Sequence, residues 1–185
     1  MTHKNIDRIA STIYQAPLGQ YIGRGGAEAL AHYVSAEIPV ADGEFLFHRG
    51  DRADTFYLVT TGKLAVVREA TRQRPELVLH VLEPGDLVGE LSYIDGTPHT
   101  NSIRALEDAT LLSFARQTFD PLVEEQPRVA FDFMRAVVTR IHQTAASIAV
   151  ALDALTPEAL GRAADASRVL RGDHDWSVLA ERTAD

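Results

Sequence analysis

The chain has no cysteine among its 185 residues, which excludes disulfides, thiolate nucleophiles, cysteine zinc sites and iron–sulfur clusters together. Positive charge is scarce: 18 Lys and Arg stand against 26 Asp and Glu, a formal net charge of −8. Phosphate backbones and anionic bilayers are bound by clustered cations, so this balance argues against a general nucleic-acid or membrane-surface binder. No uninterrupted apolar run approaches the roughly 18 residues of a membrane span. The first ten residues carry His3, Lys4, Asp7 and Arg8 but no apolar stretch of the secretory kind. These absences predict a cytoplasmic protein. The seven histidines show no i,i+4 pair and no His-Glu-x-x-His, so no metal site is expected. What is present, 45% hydrophobic and 24% charged residues, is ordinary for a globular chain. The length suits one domain with a helical appendage.

The pattern changes character along the chain. Residues 1–37 read as helical, with Ile6, Ile9, Ala10 and Ile13 at helical spacing. Gly23-Arg24-Gly25-Gly26 interrupts them as a loop and helix restart; no strand precedes it, so it is not a dinucleotide fingerprint. Residues 38–120 read as short strands at Glu44–His48, Thr55–Thr61, Leu64–Arg68, Leu77–Leu82, Ser102–Leu106 and Thr110–Ala115, separated by Gly-Asp and Pro-Gly turns. Short strands at that spacing, without helices between them, predict an antiparallel sandwich or barrel. Residues 121–155 return to helix. A short helix is expected over Gln117–Glu125 and a long one over Arg128–Leu155. In the long one Met134, Val138, Ile141, Ala145, Ile148, Leu152 and Leu155 follow a 4-3 heptad spacing. That is a dimer seam or an intrachain packing face. Residues 156–185 read as a short helical tail opened by Thr156-Pro157-Glu158.

One stretch carries specific chemistry: Val88-Gly89-Glu90-Leu91-Ser92, then Gly96-Thr97-Pro98-His99-Thr100-Asn101-Ser102-Ile103-Arg104-Ala105. It resembles the phosphate-binding cassette of cyclic nucleotide-binding domains, as in the catabolite activator family and protein kinase A regulatory subunits. Gly43-Glu44-Phe45-Leu46-Phe47-His48-Arg49-Gly50-Asp51, Asp54-Thr55-Phe56-Tyr57-Leu58-Val59 and Pro84-Gly85-Asp86 match the family's upstream signature. The resemblance covers about residues 38–153. It implies a mainly β fold with α: an antiparallel β-roll, or double-stranded jelly roll, flanked by N-terminal helices and a long C-terminal helix. It also implies a non-enzymatic cyclic nucleotide sensor whose ligand is cAMP or cGMP, with no cofactor.

The implied ligand contacts are Gly89, Glu90, Leu91, Ser92, His99 and Thr100. Glycine at 89 lets backbone approach a ligand. Glu90 suits a ribose hydroxyl, and Ser92 and Thr100 are short hydroxyl donors. At position 99 the family places an arginine whose planar fork neutralises the phosphate. Here it is His99. Hydrogen bonds to charged groups contribute about 1.5–3 kcal/mol, so the exchange weakens binding by about 10- to 150-fold. A bound anion that protonates His99 would restore part of that at acidic pH. Three readings stay open: tight cAMP or cGMP binding, weak or altered-ligand binding, and a degenerate pocket in a pure interaction module. A metal-dependent β-roll enzyme is a fourth class, for which the isolated His48 and His80 give no support.

After Asp153 come 32 residues with four Arg and six acids and no basic recognition helix. Direct DNA binding is therefore not expected. The implied partners are a second copy of the chain, through Met134, Val138, Ile141, Ala145, Ile148 and Leu152, and an unidentified protein. Thr139, Gln143 and Thr144 stand near the seam as candidate base contacts.

Overall fold

Ile9 and Ile13 share one face of helix α1 (His3–Gln15) and are both fully buried, with Ile6 packed beside them. That face lies against α2 (Gly19–Ala31), whose buried side is Ile22, Ala27, Leu30 and Ala31. The α2 backbone breaks at Gly23, with φ 65° and ψ −178°. Glycine reaches that conformation at little steric cost, so the glycine run is a kink between two helical turns. The structure, a computed structural model, describes residues 3–153. Within the chain residues up to Val138 form one compact unit and Thr139 onward another; the fold below is that of the first unit. The expected tail helix at 156–185 lies outside the described residues.

Eight strands follow, in two antiparallel four-stranded sheets. They are β1 (Ala36–Val40), β2 (Phe45–Phe47), β3 (Thr55–Thr61), β4 (Leu64–Arg68), β5 (Leu77–Leu82), β6 (Leu87–Val88), β7 (Ser102–Ala105) and β8 (Ala109–Ala115). One sheet has the order β1-β8-β3-β6, the other β2-β7-β4-β5. The strand spacing predicts an antiparallel sandwich or barrel, and the two sheets form the β-roll that the family resemblance implies. β3, β4 and β5 coincide with the segments read from the sequence. β1 and β6 have no counterpart among them. β1 contains Pro39 and Glu37, which blur its alternation; it runs at the sheet edge, where a missing amide breaks no second ladder. β6 has two residues, too short for any period to show.

Between the sheets lie Val59, Leu64, Leu82, Val88, Ile103 and Leu111. A second cluster joins the roll to its helices. There Phe56, Phe114, Phe119 and Phe133 meet edge-to-face, tilted or stacked, with ring centroids 4.8–5.8 Å apart. Such pairs add about 0.5–1.5 kcal/mol each beyond their area burial. The segment expected as one helix over Gln117–Glu125 is two, α4 (Arg116–Phe119) and α5 (Pro121–Glu125). Pro121 lacks the amide that would continue the ladder. The long helix α6 runs Pro127–Asp153, and its Phe133, Ala136 and Val137 enter the aromatic cluster.

Candidate ligand site in the cassette

β6 leads directly into the cassette, anchored by Tyr57 opposite Val88 on β3. Gly89 then turns the chain with φ 77°, and the six-residue helix α3 (Glu90–Asp95) begins. Gly89 is required twice over. Its φ is left-handed, and a Cβ there would sit 3.0 Å from the His99 ring and 3.4 Å from the Phe47 ring. After α3 the Asp95 carboxylate accepts from the Thr97 amide at 2.8 Å and hydroxyl at 2.6 Å, fixing the turn that delivers Pro98 and His99.

The structure gathers the residues picked from the sequence but disposes them unequally. Glu90 is 8% exposed and Ser92 is also buried, its hydroxyl 3.5 Å from the Pro98 carbonyl. No hydrogen bond or ion pair reaches the Glu90 carboxylate from the described residues, and neither oxygen is sealed from solvent. Solvent reaches that carboxylate, and a ligand hydroxyl can take the solvent's place as its donor. Leu91 and Thr100 are exposed; the Thr100 hydroxyl accepts from the Asn101 amide at 3.3 Å.

His99 is 5% exposed and lies flat on Phe47, with ring centroids 3.6 Å apart and planes 8° from parallel. Its backbone is clamped on both sides by the Arg49-Gly50-Asp51 turn. The His99 amide donates to the Asp51 carbonyl at 3.0 Å, and the Gly50 amide donates to the His99 carbonyl at 2.8 Å. The Asp51 carboxylate in turn accepts from the His48 amide at 2.8 Å. Burial holds the His99 imidazole below its usual pKa; the Asp51 carboxylate opposes this and is outweighed. The ring therefore favours the neutral form at pH 7 and is held flat against Phe47.

Sequence reasoning missed three participants. Phe47 read as an alternating strand residue, with nothing local to reveal that it faces position 99. Tyr93, on α3, packs against Phe56 at 5.1 Å and Phe119 at 6.0 Å, while its hydroxyl donates to Asp120 at 2.6 Å. Burial and then Asp120 push that phenol well above its ordinary pKa. Arg116 stacks over the Tyr93 ring at 4.2 Å and donates to the Tyr93 carbonyl at 2.7 Å. These contacts tie the cassette helix to the segment that leads into α6. Among the described residues no cluster of His, Asp and Glu is placed to hold a metal ion. No described helix is long and apolar enough to cross a membrane.

On α6 the seam residues Met134, Val138, Ile141 and Ala145 are exposed, beside the buried stripe of Phe133, Ala136 and Val137. Phe131, three residues before Met134 and thus in the same heptad frame, is 64% exposed and belongs to that stripe. The side chains of Ile148 and Leu152 lie outside those described.

Two antiparallel sheets, a glycine-led cassette and helices on both sides define a class of domain, and the comparisons agree with it. The family model of the Cyclic nucleotide-binding domain matches residues 37–126. The N-terminal domain of a transcriptional regulator from Streptomyces coelicolor A3(2) superimposes with a TM-score of 0.61 at 32% identity, over 72% of this chain and 94% of that one. The chain belongs to the cyclic nucleotide-binding domain family. It is 28% identical over 102 residues to the CRP-like cAMP-activated global transcriptional regulator of Mycobacterium tuberculosis, covering 55% of this chain and 45% of the regulator. It is 29% identical over 104 residues to Lysophospholipase nte1 of Aspergillus oryzae, covering 56% of this chain and 7% of that protein. The chain thus matches less than half the length of these curated relatives.

Proposed function

We propose that the β-roll is a non-enzymatic sensor that takes a cyclic nucleotide weakly, or an altered ligand of that kind, at Gly89, Glu90, Leu91, Ser92, His99 and Thr100. The observation that carries this reading is Glu90, a largely buried residue whose solvent-reached carboxylate has no partner among the described residues and suits a ribose hydroxyl. The CRP-like relative named as cAMP-activated supports the ligand class. Weakness follows from His99: a neutral imidazole on Phe47 presents fewer donors and no charge to a phosphate. Occupancy would shift α3, and Tyr93 would pass that shift through Phe119 to Phe133 on α6. The helix then shows a different face to a partner protein. A second copy pairs along Phe131, Met134, Val138, Ile141 and Ala145.

The rival reading, an interaction module without a ligand, is favoured by one feature, the His99–Phe47 stack that occupies the arginine's place. Calorimetry of the wild type and of His99→Arg with cAMP separates the two. The sensor reading expects weak wild-type binding and about 10- to 150-fold tighter binding by the variant. Binding absent in both favours the module.

A further inference from the structure

The second sheet has an outer face that the proposed nucleotide contacts do not use. Ile103 on β7 points into the core between the sheets, so its neighbour Ser102 points the other way, paired with Val67 of β4. Both are fully buried, although they lie outside that core. Above them, under the β4–β5 hairpin, is a cavity of about 560 Å³ whose lining includes Arg49, Arg68, Arg74, Val67, Leu77 and Ser102. Its lining includes none of Glu90, Ser92, His99 and Thr100.

The charges around this cavity do not cancel. Two carboxylates line it, and both are engaged: Glu76 accepts from Arg104 at 2.6 Å, and Glu69 accepts from the Ser102 hydroxyl and lies 2.9 Å from the His48 ring nitrogen. The guanidinium groups of Arg49, Arg68 and Arg74 meet no carboxylate or acceptor among the described residues. Arg68 is half-buried as well. The roll around them carries an excess of acids, six over residues 37–120, so three unpaired cations on one cavity are not a sampling of the surface. An apolar floor of Val67, Pro75 and Leu77 with a guanidinium rim suits a ligand having an apolar body and an anionic head.

We propose that this cavity is a second binding site, for a soluble organic anion that sets a phosphate, sulfate or carboxylate against the three arginines and an apolar body against Val67 and Leu77. The cavity shares Asn101 and Ser102 with the end of the cassette stretch but none of the proposed nucleotide contacts, so it is tested separately from cyclic nucleotide binding. The probe is 1-naphthyl phosphate, titrated by calorimetry into the full chain and followed by amide chemical shifts. The expected result is one-to-one binding, weakened about tenfold or more in Arg68→Gln/Arg74→Gln. Saturating cAMP should leave it unchanged, and the shifts should centre on Arg49, Thr71 and Ser102. No binding at millimolar probe, equal binding of uncharged 1-naphthol, undiminished binding by a folded double variant, or wild-type shifts centred on Glu90 and Ser92 would each overturn the proposal.

Discussion

His99 sits in the cassette as a buried ring stacked on Phe47. Burial against Phe47 favours the neutral ring, so the unfolded chain takes up the proton before the folded one does. His99 therefore contributes full stability above its ordinary pKa of 6.5, and that contribution falls as pH drops through 6.5 toward the lower folded value. Melting temperatures measured across that range should fall more steeply for the wild type than for His99→Gln; parallel curves would contradict the burial argument. The same burial means that a bound anion must supply the compensation for charging the ring, so acid-enhanced binding belongs below the ordinary pKa. Gly89 is the other critical residue. Gly89→Ala places a Cβ at φ 77° and 3.0 Å from the His99 ring, and should cost about 1–3 kcal/mol in denaturant unfolding. A loss under about 0.5 kcal/mol would show that the stack yields easily.

At the scale of elements, the helix α6 has a buried stripe and an exposed apolar one. Phe133, Ala136 and Val137 hold it to the roll, while Phe131, Met134, Val138 and Ile141 remain exposed. The account expects Phe131→Glu and Ile141→Glu each to convert a sedimenting dimer to monomer without loss of helical signal. An unchanged profile refutes the seam. Much of this was legible beforehand, because strands of five to seven residues and a heptad leave periods that survive in sequence. β1 was hidden by Pro39, and β6 by its two-residue length. Phe131 has the right spacing, so extending the heptad one step back would have found it. The split at Pro121 was likewise written in the residue itself.

At the scale of the whole molecule, the resemblance located the cassette but not what surrounds it. The Phe47 stack joins residues 52 positions apart, and the Arg49-Gly50-Asp51 turn, read only as a turn, proves to be the clamp on the His99 backbone. Such meetings are set by sheet register, which no local pattern encodes. Charge is uneven as well: the roll holds most of the net −8, while the Glu90 carboxylate has no partner among the described residues. On the proposed reading, an acidic surface and the absence of a guanidinium at position 99 both lower affinity for an anion, while Glu90 accepts from its sugar. Titration calorimetry of the wild-type chain with cAMP and cGMP tests this balance most directly. Weak, saturable one-to-one heat that disappears in Glu90→Gln is the predicted result, and no heat or thermal shift at millimolar nucleotide would contradict it.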